Sequence, residues 1–158
     1  MMKRRINVYE KGGDAMKSLF DLGAYLAKSI VERSLLDLVN FRVSQINGCA
    51  YCLDMHSKDL RAVGETEQRL YMLDAWRETP FYSDRERAAL AWAEAVTEIK
   101  ETHVPDEVYE QTRKQFSEEE LIDLTLSIIT INSFNRINIA FRTPAGTYRV
   151  GQHAALIK

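Results

Sequence analysis

The chain has 158 residues, 46% hydrophobic and 28% charged, with a formal net charge of -2. That size suits one domain able to bury about 68–70% of its unfolded surface. The near-neutral balance provides no general field for nucleic acid or an anionic membrane, and no segment reaches the roughly 18–20 apolar residues of a membrane span.

The basic start Lys3-Arg4-Arg5 is short and reads as solvated. No apolar run of signal-peptide length follows it, because Asp14 and Lys17 interrupt the next stretch. The chain therefore reads as cytoplasmic. In a reducing compartment a close cysteine pair serves catalysis or metal binding more readily than it serves as a staple.

Apolar spacing predicts a first helix over about 14–30, with Met16, Phe20, Ala24, Ala27 and Val31 on one face and Gly23 weakening it locally. A second helix is expected over about 32–46, carrying Leu35, Leu38, Val39, Arg42 and Val43 before the Asn47-Gly48 stop. The third begins near Cys49 and ends at Gly64. The fourth covers about 65–78, anchored by Leu70, Leu73 and Trp76 and closed by Pro80. Ser83 and Glu86 form a capping box for the fifth, whose stripe is Ala89, Trp92, Val96 and Ile99. Pro105, followed by Asp106 and Glu107, opens the sixth in its first turn. Ser117 and Glu120 cap a long apolar helix running to about Phe141, stopped by Thr143-Pro144-Ala145-Gly146. No alternating strand pattern interrupts this order, so the predicted fold class is all-α, a compact multi-helix domain.

The candidate chemistry lies at the start of the third helix. At about 100° per residue, Cys49 and Cys52 fall about 60° apart and Cys52 and His56 about 40° apart, so all three share a side. Leu53, Leu60 and Val63 extend that side, which points it at the core. The free amides and dipole of a helix N-terminus favour a thiolate, and a nearby histidine accepts or relays its proton. Burial works against both by penalising charge. Helical spacing leaves Cβ atoms about 5–6 Å apart, and a modest tightening of the first turn closes this to the roughly 3.8 Å of a disulfide. Two other readings of the pair stand beside the redox one. The thiols could be inert small hydrophobes, or half of a zinc site completed by His103 or His153, neither of which shows partner spacing.

The stretch Phe41-Arg42-Val43-Ser44-Gln45-Ile46-Asn47-Gly48-Cys49-Ala50-Tyr51-Cys52-Leu53-Asp54-Met55-His56 resembles the signature of the alkylhydroperoxidase D-like (AhpD-like) branch of the carboxymuconolactone decarboxylase superfamily. Arg61-Ala62-Val63-Gly64, the Trp76 segment and Ala91-Trp92-Ala93-Glu94-Ala95-Val96-Thr97 resemble it too. The likeness covers roughly residues 15–142 and implies that residues 1–158 form a single domain of this kind.

The resemblance implies a homo-oligomer, trimeric or hexameric, that reduces hydrogen peroxide or an organic hydroperoxide at the expense of an external thiol or disulfide reductant. It implies no cofactor and no resident metal. Carried over, Cys52 is the peroxide-attacking thiol, Cys49 gives the proton and then resolves the sulfenic acid, and His56 belongs to the proton relay. Asp37 stands where the family places a Glu, twelve residues before the first cysteine, and so is expected to orient His56. Tyr51 stands near the place of a histidine that the better-studied members carry between their cysteines. A disulfide carrier with little peroxidase activity, and a helical oligomer with inert thiols, are the competing functional readings. Asn132, Asn135 and Asn138 recur along the last helix and are expected to bond across a buried helix pair or an oligomer contact rather than to take part in catalysis.

Overall fold

A computed structural model describes residues 3–153. Among these residues the chain is all-α: α1 Val8–Lys11, α2 Gly13–Leu26, α3 Arg33–Asn47, α4 Ala50–Ala62, α5 Glu67–Met72, α6 Asp84–Thr97, α7 Ile99–Thr102, α8 Asp106–Arg113 and α9 Glu118–Phe141, with a 3-10 turn at Leu73–Glu78. None of these helices is long and apolar enough to cross a membrane.

Helix α3 is the central element and packs on α4, α6 and α9. Its Val39 and Val43 meet Ala93 of α6 and Leu124 and Ile128 of α9 in the main core. Its opposite flank, from Leu38, joins Leu60, Leu70, Leu73, Trp76 and Leu90 in a second core. The two predicted capping boxes are both present. Ser83 Oγ accepts from the Glu86 amide at 3.2 Å while the Ser83 amide donates to Glu86 Oε2 at 2.7 Å. Ser117 and Glu120 repeat the arrangement at 3.1 and 2.7 Å. Each box satisfies two amides that a helix start otherwise leaves unpaired.

The elements depart from the sequence expectation where tertiary bonds override periodicity. Helix α2 stops at Leu26, short of Ile30. Ser29 donates to Asp123 Oδ2 at 2.5 Å and accepts from the Val31 amide at 3.1 Å, so the chain leaves the helix and Val31 enters the core from a loop. Ala27, expected on the buried stripe, is exposed. The fourth predicted helix divides into α5 and the 3-10 turn, broken at Ala75 (φ -110°, ψ 29°). This break lets Trp76 Nε1 donate to Glu94 Oε1 at 2.9 Å. Ile99 is 56% exposed because α6 ends at Thr97 and Ile99 starts the separate short helix α7. Pro105 is the N-cap of α8 rather than its first-turn residue. Helix α1 and α7 are too short to leave a periodic signal.

Candidate active site

The turn between α3 and α4 places the cysteines. Gly48 is left-handed (φ 64°, ψ 33°) and ends α3, with its amide bonded to Gln45 O at 3.1 Å. Such a conformation suits glycine, which has no Cβ to clash. Cys49 then takes the N-cap position with extended backbone (φ -82°, ψ 95°) instead of a helical one. This extended residue folds its side chain over the first turn, so Cys49 and Cys52 form a disulfide with Cα atoms 5.3 Å apart. Both cysteines are 1% exposed.

Cys52 lies on the wall of a cavity of about 430 Å³; Cys49 sits behind it and does not line the space. Most of the wall is apolar or aromatic, including Phe20 and Leu26 of α2, Leu36 of α3, Met55 of α4 and Ile131 and Phe134 of α9. His56 is buried in the same wall, and its Nε2 atom has no hydrogen-bond partner among the described residues. Burial, with the Arg33 guanidinium nearby, pushes the imidazole down to about 4. At neutral pH His56 is therefore uncharged.

Asp37 also lines the cavity, but its carboxylate accepts from Arg33 Nε at 2.9 Å. Burial raises its pKa above the usual range against the opposing pull of Arg33. Among the described residues no hydrogen bond joins Asp37 to His56, so the expected orienting contact is not made directly. Val63, expected to continue the buried side of α4, is 73% exposed at the cavity rim, because it falls beyond the last helical turn.

Several wall residues come from far along the chain, and no local pattern places them at the cysteines. Asn138 of α9 donates from Nδ2 to Cys52 Sγ at 3.6 Å and accepts from Tyr9 Oη at 3.0 Å. Its neighbours in the repeat do what was expected of them: Asn47 Nδ2 of α3 donates to Asn132 Oδ1 at 3.0 Å and to Asn135 Oδ1 at 2.9 Å. A strap over residues 143–153 crosses the cavity. Its Gly146 amide donates to Asp54 Oδ2 at 2.9 Å, and Tyr148 Oη donates to both Asp59 oxygens at 3.0 and 2.9 Å. His153, weighed above as a zinc ligand, instead has Nε2 2.6 Å from Tyr51 Oη and its ring stacked on Tyr9 at 5.6 Å. Burial raises the Tyr51 and Tyr9 hydroxyls and lowers His153, so this aromatic cluster stays uncharged at neutral pH. Among the described residues no cluster of His, Cys, Asp and Glu has the makings of a metal site. The signals for these wall residues, apart from the periodic asparagines, are single polar residues in apolar or loop sequence.

Comparisons with known proteins bear on the whole arrangement. The model of the carboxymuconolactone decarboxylase family matches residues 13–95. The chain is 46% identical over 146 residues to the uncharacterized protein YdfG of Bacillus subtilis, covering 92% of this chain and 99% of that one. A solved structure from Agrobacterium tumefaciens, of a protein of unknown function for which antioxidant defence of the AhpD type has been suggested, superposes with a TM-score of 0.89 at 41% identity, over 92% of this chain and all of the other. The debrominase Bmp8 shares the fold at 21% identity and a TM-score of 0.74, over 94% of this chain and 80% of its own.

Proposed function

The chain belongs to the carboxymuconolactone decarboxylase family, on its AhpD-like branch, and from that premise we propose that it is a thiol-dependent peroxidase of the alkylhydroperoxidase type. The observation that carries the reading is the disulfide-paired Cys52 set in the wall of a roomy apolar cavity, with Cys49 directly behind it. A hydroperoxide enters the cavity and meets Cys52. The thiolate electron pair forms an S–O bond, the O–O bond breaks, and the departing alkoxide takes a proton to leave as an alcohol, or as water when the substrate is hydrogen peroxide. The Cys49 thiol then attacks the Cys52 sulfenic acid, forming the disulfide and releasing water. An external dithiol restores both thiols and is itself oxidised to a disulfide.

His56 supports this sequence as an uncharged imidazole whose Nε2, without a partner among the described residues, is available to hydrogen-bond a substrate oxygen in the proton relay. The cavity size and its aromatic wall favour an organic hydroperoxide alongside hydrogen peroxide. The disulfide-carrier reading is less favoured because neither sulfur is exposed to a docking protein. A reducing compartment such as the cytoplasm would supply the dithiol. The apolar residues that α9 leaves outside, Ile122, Ile129 and Ile139, support assembly into a homotrimer or hexamer. Light scattering at micromolar concentration tests the assembly, and a monomer overturns it.

Stopped-flow reduction of cumene hydroperoxide by the pre-reduced protein tests the activity. Cys52→Ser should abolish peroxide consumption, whereas Cys49→Ser should allow one turnover and trap a sulfenic acid visible by mass spectrometry. Peroxide consumption by Cys52→Ser at the wild-type rate ends the reading.

A further inference from the structure

We propose that the Asn138 carboxamide is a catalytic hydrogen-bond donor to the attacking sulfur of Cys52, and that the Tyr9 hydroxyl fixes its orientation. The inference rests on the peroxidase reading for its purpose, though not for its geometry. Asn138 is 3% exposed, on the α9 turn that faces the start of α4. Its Nδ2 is 3.6 Å from Cys52 Sγ, within range for a hydrogen bond to sulfur, and its Oδ1 accepts from Tyr9 Oη at 3.0 Å. The two bonds fix each other's direction. A disulfide sulfur has no hydrogen to give, so a carbonyl oxygen turned toward it would be stranded in a buried site. With nitrogen toward sulfur and oxygen toward the tyrosine, both ends of the amide are paired. Asn132 and Asn135 are engaged with Asn47 of α3, so Asn138 alone of the repeat turns to the cysteine.

The surroundings give the amide a task. A thiolate at Cys52 has to form beside an apolar wall that penalises charge. Arg33 and Asp37 of α3 face the same cavity but are paired with one another. On α4, His56 is uncharged at neutral pH, and Asp59, when ionised, opposes a second negative charge. Tyr9 of α1, Tyr51 of α4 and Tyr148 and His153 of the strap are neutral there. Arg4, a cation near enough to act on Tyr9 and Tyr51, does not line the cavity, so the groups adjoining Cys52 that favour the thiolate are the first-turn amides of α4 and the Asn138 donor. A neutral donor does so without bringing a charge that would itself need a partner.

The test uses reduced protein in a Cys49→Ser background, in which Cys52 is the sole thiol, and titrates its thiolate by ultraviolet absorbance. Asn138→Leu, close in volume and unable to donate, should raise the Cys52 midpoint by about one pH unit, which leaves about tenfold less thiolate below both midpoints. Tyr9→Phe frees the amide to turn and should raise the midpoint by a smaller amount, about threefold in thiolate at the same pH. Unmoved midpoints in variants whose circular dichroism matches the parent overturn the proposal. Should Asn138→Leu fail to fold, Tyr9→Phe, which removes one hydroxyl, carries the decision. The rate of sulfenic acid formation is read separately in the same proteins. A shifted midpoint with no reaction toward peroxide retires the peroxidase reading and leaves the donor role standing. An unmoved midpoint with fast peroxide reduction does the reverse.

Discussion

His56 is a titratable group held where neither of its charge states is well served. Its unpaired Nε2 forgoes a hydrogen bond, and a buried polar atom left in that condition costs about 1–3 kcal/mol. Burial penalises the protonated ring, and Arg33 adds repulsion, which is why the imidazole sits at about 4, below its ordinary 6.5. Between those values the unfolded chain binds a proton that the folded chain refuses. The contribution of His56 to stability is therefore complete above about pH 6.5 and is lost as pH falls toward 4, by about 3 kcal/mol at most. Asp37 and Asp59, raised by burial, work in the opposite direction as pH falls, because the folded state holds their protons more tightly. The difference between the wild type and His56→Gln isolates the histidine. Urea denaturation from pH 7 to pH 4 should show the wild type losing stability more steeply than the variant. Parallel curves would mean that His56 is charged in the folded protein or is not buried.

At the scale of elements, the α3–α4 turn decides where the sulfurs go. Gly48 is left-handed and a Cβ built on it meets nothing within 4 Å, so any penalty of substitution there comes from the backbone alone. Gly48→Ala should cost about 1 kcal/mol, from the strain of a left-handed alanine, and Gly48→Asn less, because asparagine visits that conformation more readily. Thermal melts rank the three proteins, and an alanine variant as stable as the wild type would refute the turn geometry. This turn was readable in the sequence because every part of it is local: the Asn-Gly stop, the cysteine spacing and the histidine one turn later. The capping boxes were readable for the same reason. The early end of α2 was not, because it depends on Ser29 reaching Asp123, 94 positions away. The cavity wall was unreadable on the same ground. Asn138 lies 86 positions from Cys52, and its spacing matched that of two asparagines with a purely structural task.

At the scale of the whole molecule, residues 143–153 are expected to limit the approach of a large reductant to Cys52, because they form part of the cavity wall. Both sulfurs are buried and the strap forms part of that wall, so lifting the strap would open a route to Cys52 for a reductant larger than the cavity. The strap is held by Tyr148 on Asp59, the Gly146 amide on Asp54, Lys58 Nζ on the Tyr148 carbonyl at 3.1 Å, and His153 against Tyr51 and Tyr9. A hydrogen bond to a charged group contributes about 1.5–3 kcal/mol, and each 1.4 kcal/mol changes an opening equilibrium about tenfold. Tyr148→Phe removes both bonds to Asp59 while keeping the ring against His153. It should therefore speed reduction of the disulfide by a thioredoxin-sized protein about tenfold or more, provided that opening precedes attack. Reduction by a small dithiol that fits the cavity should change much less, since that reagent needs no opening. Rates measured with both reductants on both proteins make the comparison. Equal acceleration with the two would assign the effect to the sulfur itself, and no acceleration with either would mean that the strap does not limit the approach to Cys52.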